Sequence, residues 1–308
     1  MNMDHHLKLR HLSCFLEIAR QGSVARAAEA LNISQPAVSK TLKELESLLQ
    51  TRLFDRGRSG VALTESGLAF MRYVGPGMQS LREGVRSLRA GEFDAGELRL
   101  GALSSVEADF MPAVIERLHR EHPALRISVI GGPADYQLGL LRIGELDLVI
   151  GRVSDSPHIV GLRYDHLYSE SMALVARARH PLLQLSAQTA LSRIAAYPIV
   201  LPLPDTTIRR HADSMLVQCG VGVPTTRLET LSIALSRHYV LNTDAVWVAP
   251  FDAVTADIRA GVLVELDLGR PEPGGSIGVC SNPAIEAPLA VLWCREVLEQ
   301  VGRERQGT

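Results

Sequence analysis

Long apolar runs are missing from this 308-residue chain, and so are the residue spacings that mark most catalytic and metal sites. No uninterrupted hydrophobic stretch approaches the ~20 residues of a membrane-spanning helix, although 46% hydrophobic residues suffice for sizeable cores. The opening Met1-Asn2-Met3-Asp4-His5-His6 lacks the basic-then-apolar layout of a signal peptide, so the cytoplasm is the expected location. Only four cysteines occur (Cys14, Cys219, Cys280 and Cys294), scattered and without a CxxC pair. That spacing argues against zinc and against a disulfide framework. Buried thiols are expected, with a redox-sensing Cys280–Cys294 pair as the alternative. There is no HExxH helix, P-loop or GxGxxG turn. His119 and His122 share a helical spacing but have no carboxylate–histidine set nearby, and His5-His6 lack metal partners. Neither catalysis nor a metal or cofactor is expected.

Lysine is also scarce, and its placement is informative. All three lysines (Lys8, Lys40 and Lys43) fall in the first 91 residues. That segment carries 13 Lys+Arg against 8 Asp+Glu, a balance of +5, while the remainder carries 19 against 26, or −7. A basic head on an acidic body suggests that the head meets a polyanion. The length implies two or three domains.

The head reads as three short helices and a hairpin. Leu12, Phe15, Leu16 and Ile18-Ala19 give an apolar helical stripe over about Leu9–Arg20, ended by Gln21-Gly22. Ser23 is an N-cap for Val24–Leu31, whose four alanines let another helix cross closely. Asn32-Ile33-Ser34 forms a polar turn in which Ile33 is expected to plug the corner. Ser34 caps the third helix, and Pro36 is tolerated in its first turn, where amides lack intrahelical partners. Val38, Leu42, Leu45 and Leu49 face inward, while Gln35, Ser39 and Lys43 line a neighbouring stripe with Lys40 beside it. Such a stripe suits a major groove, with Gln matched to adenine and Ser or Lys to base edges or phosphates. "TRLFDRGRSGVALTESG" then reads as strand–turn–strand, a basic wing carrying Arg56 and Arg58. An ordinary three-helix bundle with solvated faces is the alternative, disfavoured by the wing and the local charge.

Residues 9–67 resemble the winged helix–turn–helix of LysR-type transcriptional regulators, notably in "FLEIARQGSVARAAEALNISQPAVSKTLKELE", "RLFDR" and "LTESG". The resemblance extends over essentially the whole chain. It implies that Gln35, Pro36, Ser39 and Lys40 meet the major groove of double-stranded DNA and that Arg56 and Arg58 belong to the wing, and Ser34 and Lys43 are expected to join these DNA contacts. It further implies a homodimer assembling into tetramers that works with RNA polymerase.

The expected layout is a DNA-binding domain at 1–65, a dimerisation helix at 66–91, a hinge at 92–96 and an effector domain at 97–308. Met71, Val74, Met78, Leu81, Val85 and Leu88 alternate spacings of three and four, an a/d seam for a partner helix. Gly75-Pro76-Gly77 interrupts that helix, and an internal proline is expected to bend it. From Glu97 strands and helices alternate, predicting α/β architecture with largely parallel sheets. The strands are "ELRLGAL", "LRISVI", "LDLVIG", "MALVAR", "YPIVLP", "AVWVAP" and "LVELDL". The resemblance implies two lobes like those of bacterial solute-binding proteins, about 97–167 with 271–302 and about 168–270. A free-standing solute-binding protein would not carry the DNA-binding head.

In open α/β sheets ligands sit beyond the carboxyl ends of strands, near helix N-termini. Here those points are Ser104-Ser105, Gly131-Gly132-Pro133, Arg152 and Asp205-Thr206-Thr207, with Arg209 and Arg210 as further candidates. Ser104, Ser105, Gly132, Arg152, Thr206 and Thr207 are the expected effector contacts, holding a carboxylate by an arginine and helix-end amides. A serine or threonine there is by itself more often a plain helix cap. The runs "GELDLVIGR", "DHLYSE", "ARHPLL", "YPIVLP", "TDAVWVAP" and "VTADI" resemble LysR-type activators of protocatechuate-degradation genes. That closer resemblance implies a carboxylated ring-cleavage product, such as β-carboxymuconate or its lactone, as inducer. Regulators of sugar or sugar-acid uptake share similar runs and supply the alternative. A small-molecule enzyme with an accessory DNA-binding head is the alternative of a different class.

Overall fold

The structure is a computed structural model, and it describes residues 7–57, 60–90, 96–153, 156, 159–222, 226–267 and 272–306. The chain divides into two compact units. One is Met1–Asp94 with Leu138–Asp147 and Asn282–Ala287; the other is Ala95–Gln137, Leu148–Ser281 and Pro288–Thr308.

The first unit opens with α1 (Leu9–Gln21), α2 (Val24–Ala30) and α3 (Gln35–Leu49). Phe15 and Ile18 of α1 are fully buried against α2's Ala27 and α3's Val38 and Leu45. Gly22 ends α1 in the left-handed region at φ 58, donating its N–H to the Ile18 carbonyl, the conformation glycine reaches at least cost. Ser23 accepts from the Arg26 amide and Ser34 from the Ala37 amide, so both expected caps form. Ile33 does not plug the corner: it is 45% exposed. Its neighbour Asn32 takes a left-handed φ of 53, and the Ile33 N–H bonds back to the Ala28 carbonyl instead.

The wing is an antiparallel pair, β1 (Phe54–Gly57) and β2 (Gly60–Leu63), registered Phe54 to Leu63 and Gly57 to Gly60. The Glu46 carboxylate of α3 accepts from the Leu53 amide at 2.8 Å, tying the wing to the third helix. The Val61 amide donates to the Gly22 carbonyl, tying it to the first. Phe15 stacks its edge on Phe70 at 5.1 Å and tilts against Phe54 at 5.3 Å.

Helix α4 (Glu65–Ala90) runs unbroken through Pro76, where an interruption was expected. The apolar seam divides along it. Met71, Val74 and Met78 are buried within the chain itself, whereas Leu81 and Val85 are more than half exposed. The expected six-residue partner seam therefore loses its first half to the chain's own core. The Leu88 side chain, Arg58, residue 91 and residues 92–95 of the expected hinge lie outside the described residues.

The second unit is built on one nine-stranded sheet. Its elements are β3 (Glu97–Ala102), α5 (Ser104–Ala108), α6 (Phe110–Glu121), β4 (Arg126–Ile130), the first turn of α7 (Ala134–Arg142, assigned to the first unit from Leu138), β5 (Leu148–Gly151) and β6 (Arg163–Arg177). Then come α8 (Ala187–Arg193), β7 (Ile199–Leu201), α9 (Thr207–Gln218), β8 (Arg227–Glu229), α10 (Ile233–Leu241), β9 (Val246–Pro250), α11 (Phe251–Arg259), β10 (Leu263–Glu265), β11 (Glu272–Ser281) and α12 (Leu289–Gln306). The strand order is β4-β3-β5-β11-β6-β9-β7-β8, with β10 also paired to β6. The two outer trios are parallel, as βαβ crossovers require. The centre corrects the expectation of largely parallel sheets, because β6 and β11 pair antiparallel with each other and with β9 and β5. The chain crosses the sheet once each way, so the two crossing strands must run in opposite directions.

Those strands join two lobes. One core gathers Leu98, Leu100, Phe110, Val114 and Leu298 and takes Leu167 and Tyr168 from β6. On the other side the alternation of β6 and β9 feeds two faces. Met172, Leu174, Val246 and Val248 pack on one, and Ala173, Val175, Trp247 and Ala249 on the other, the period of two that a doubly covered strand demands. The fold is a helix–turn–helix head followed by a two-lobed α/β domain. Among the described residues no helix is long and apolar enough to cross a membrane.

Candidate functional site

At the head, the first turn of α3 places Ser34, Gln35 and Pro36 on the surface. One and two turns on, Lys40 and Lys43 are exposed and Ser39 is half-buried. Pro36, Ser39, Lys40 and Lys43 line a shallow groove together with Lys8, Arg10, His11 and Glu44. Sequence reasoning missed those last four; a basic pair at the start of α1 was the available signal. His11 is buried at 3% exposure, and its Nδ1 accepts from the Lys8 amide at 3.2 Å. Its Nε2 lies 3.4 Å from Glu44 Oε2, which Arg10 also approaches at 3.2 Å. Against some desolvation, the His11 hydrogen bond and the charges of Arg10 and Lys40 hold the Glu44 carboxyl below its ordinary value. The acid on the groove is thus matched by cations, and Lys43 and Lys8 stand exposed beside it. Arg56 lies in β1, its side chain outside what is described, so its part in the wing is carried by strand position alone.

In the two-lobed unit a cavity of about 420 Å³ opens where strands end and helices begin. All six expected positions, Ser104, Ser105, Gly132, Arg152, Thr206 and Thr207, line it. The sequence brings them there by its turns. Gly151, at φ 149, ends β5 against the Leu103 side chain, where any Cβ would collide, and Arg152 follows it into the wall. Gln137 of α7, fully buried, donates to the Ala102 carbonyl at 2.9 Å and the Gly132 carbonyl at 3.1 Å, pinning two of the loops. Thr206 caps α9 by accepting from the Arg209 amide, and Ser232 caps α10 by accepting from Leu235. The first amides of both helices are left for a ligand.

Three features were not foreseen. Trp247, Ile233 and Pro250 give the cavity an apolar wall; Trp247 read only as a strand residue. Arg209 stays out of the lining, held by Asp213 at 2.8 Å, Glu229 at 2.9 Å and the Pro202 carbonyl at 2.9 Å, while exposed Arg210 reaches it. Most consequential, Arg152 is already paired: its guanidinium donates to Glu170, and both side chains are almost wholly buried, at 4% and 1%. Burial pushes the Glu170 carboxyl up to about 7, with the Arg152 charge pulling the other way.

Glu170 sits on β6 between the two cores, and a polar network continues behind it. Tyr168 donates to Asp252 at 2.5 Å, and Arg305 pairs with Asp252 at 2.8 Å and with Asp109. Arg305 also lies 5.3 Å above the Phe110 and Tyr168 rings. Burial raises the Asp252 carboxyl while Tyr168 and Arg305 hold it down. Among the described residues no group of three His, Cys, Asp or Glu is placed to hold a metal. Burial raises the Cys14 thiol to about 11, and none of the four cysteines is in a disulfide.

Comparisons with known proteins agree with this geometry. Residues 9–68 match the model of the bacterial regulatory helix-turn-helix proteins of the lysR family, and residues 91–303 match the LysR substrate binding domain. The uncharacterised HTH-type transcriptional regulator YdcI of Escherichia coli K12 is 39% identical, over 91% of each chain. The HTH-type transcriptional regulator PcaQ of Agrobacterium fabrum is 35% identical, over 94% of each. The crystal structure of ArgP from Mycobacterium tuberculosis superposes with a TM-score of 0.66 at 16% identity, over 96% of this chain and 97% of that one.

Proposed function

The chain belongs to the LysR family of bacterial transcriptional regulators, and we propose that its two-lobed domain senses a small carboxylated metabolite of aromatic-ring degradation. Its relatives are regulators, not enzymes. The observation that carries the effector reading is the cavity itself. It is closed enough to bury a ring-sized acid, walled by Trp247 and Ile233, and supplied with one buried guanidinium and two helix starts. In this reading Gln35, Ser39 and Lys40 read the operator, Lys43 and the wing hold phosphate, and exposed Leu81 and Val85 meet a partner helix. The protein acts in the cytoplasm as a dimer or tetramer, activating transcription through RNA polymerase. A ligand that binds one lobe arrangement better shifts the population toward it and so changes the DNA complex.

The likeness to PcaQ supports the protocatechuate pathway. A second reading, a sugar acid, is favoured by the hydroxyls of Ser104, Ser105, Thr206, Thr207, Thr230 and Ser236 on the same cavity. Calorimetry of the full chain with protocatechuate, β-carboxymuconate, its lactone and D-gluconate separates the two. Saturable binding of a pathway acid without turnover is the expected result. Binding of gluconate alone keeps the regulator and discards the pathway.

A further inference from the structure

The charges around the cavity limit what kind of acid it can hold. Among the described residues that line it, the charged ones are Arg152, Arg210, Asp135 and Asp205. Arg210, Asp135 and Asp205 are exposed at the surface, so only Arg152 presents a charge in the dry part. That charge is already met by Glu170, a carboxylate with 1% exposure. Asp252 lies behind Glu170, adding its own charge to the same region. Burying a second and third negative charge here would set them against Glu170 and Asp252, with no further buried cation among the described lining residues to answer them, and Coulomb repulsion is strongest where water is excluded.

One anionic group is a different case. Among the described residues Arg152 Nε has no hydrogen-bond partner, although the side chain is buried. The left-handed Gly275, at φ 99, keeps the space beside it clear, since a Cβ there would lie 3.0 Å from Arg152 Nε and from His211 Nε2. A planar guanidinium can serve two carboxylates through different edges. The rest of the wall is apolar: Leu103, Pro133, Ile233, Trp247 and Pro250.

We propose that the cavity takes an organic acid bearing a single carboxylate on a mainly apolar, ring-sized body, and turns away acids with two or three carboxylates. The inference rests on the reading of this cavity as the effector site and sharpens it. Within an aromatic pathway it selects the intact ring acid over a ring-opened tricarboxylate.

Benzoate, isophthalate and trimesate place one, two and three carboxylates on the same ring and test the rule directly. Titrated into the full chain and followed by calorimetry and tryptophan fluorescence, benzoate binds best, and each added carboxylate weakens binding about tenfold. In Glu170→Gln the penalty for isophthalate relative to benzoate shrinks about tenfold, because the opposing buried charge is gone. Glu116→Gln, exposed on α6 and outside the cavity lining, leaves the ranking unchanged. If trimesate binds as tightly as benzoate, the single-charge rule is overturned while the effector reading stands. An unaltered ranking in a folded Glu170→Gln overturns the charge explanation. Should D-gluconate bind and all three ring acids stay silent, the apolar body is wrong. Silence from every acid removes the effector reading and the inference together.

Discussion

Glu170 decides more than its position on a crossing strand suggests. Burial raises its carboxyl to about 7, so near neutrality it is partly protonated, and Arg152 is what favours the charged form. A bound carboxylate that shares Arg152 weakens that support and raises the Glu170 pKa further. Binding therefore takes up a proton, and affinity falls as pH rises through about 7. The groups around it are Arg152 at the end of β5, Tyr168 on its own strand, Asp252 of α11, Arg305 of α12, Asp109 just before α6 and, beyond Gly275, His211 of α9. Calorimetry in buffers of different ionisation enthalpy should show proton uptake on ring-acid binding in the wild type and much less in Glu170→Gln. Equal uptake in both would assign the proton elsewhere, His211 first. At the head, Gln35 is the one long amide on the exposed first turn of α3. Its replacement by alanine should cost about 1–3 kcal/mol of operator discrimination while barely changing affinity for random DNA. A matched loss on both would remove the base-reading role.

Elements show which residues the sequence made legible. The caps Ser23, Ser34 and Thr206 were readable because capping is local, a side chain bonding an amide three residues on. The six cavity positions were readable because each follows a short apolar strand that the sequence marks, such as Leu148–Gly151 or Ile199–Leu201. Strand β8 was not, since Arg227-Leu228-Glu229 has one apolar residue and is defined by its partner β7. The first half of β6 was hidden for a related reason: Arg163, Asp165 and His166 make Arg163–Tyr168 polar at three of six places, and it owes its pairing to β11. The Arg152–Glu170 pair joins residues 18 apart and left no local signal, which is why a cationic cleft was expected where a neutral pair stands. Helix α4 carries the same lesson, for periodicity shows an apolar stripe but not whose core it enters. Met71, Val74 and Met78 go to the chain's own core, leaving Leu81 and Val85 exposed. Leu81→Glu should therefore raise the dimer dissociation constant at least about tenfold with little change in melting temperature, as charge burial at a coiled seam implies. Sedimentation equilibrium reads it, and an unmoved constant would take α4 out of the dimer contact. On α3, Lys43→Ala should reduce the salt dependence of DNA binding by about one unit if it meets a phosphate.

At the scale of the molecule, the two units hold different chemistry: an exposed polar helix face beside basic residues in one, a shielded cavity around a single guanidinium in the other. Regulation requires that these be separable by mutation and coupled only through a conformational equilibrium. Arg152→Met is the substitution that asks this most directly. It removes the one buried cation among the described residues of the cavity, yet Arg152 belongs to a unit that contains none of the residues expected to touch DNA. Removing one partner of a buried ion pair is usually costly because the other charge is stranded. Here the stranded group is Glu170, whose carboxyl is raised already and can take a proton near neutral pH, so the variant should stay folded. Operator affinity without ligand should then stay within about twofold of wild type, well inside the ~1.4 kcal/mol that a tenfold change represents. The response of the DNA complex to a ring acid should vanish. Electrophoretic mobility or fluorescence anisotropy with and without ligand measures both. A variant that loses operator affinity in the absence of ligand would mean that the Arg152–Glu170 pair sets the DNA-competent arrangement itself, and that the ligand acts by replacing a contact the empty protein already uses.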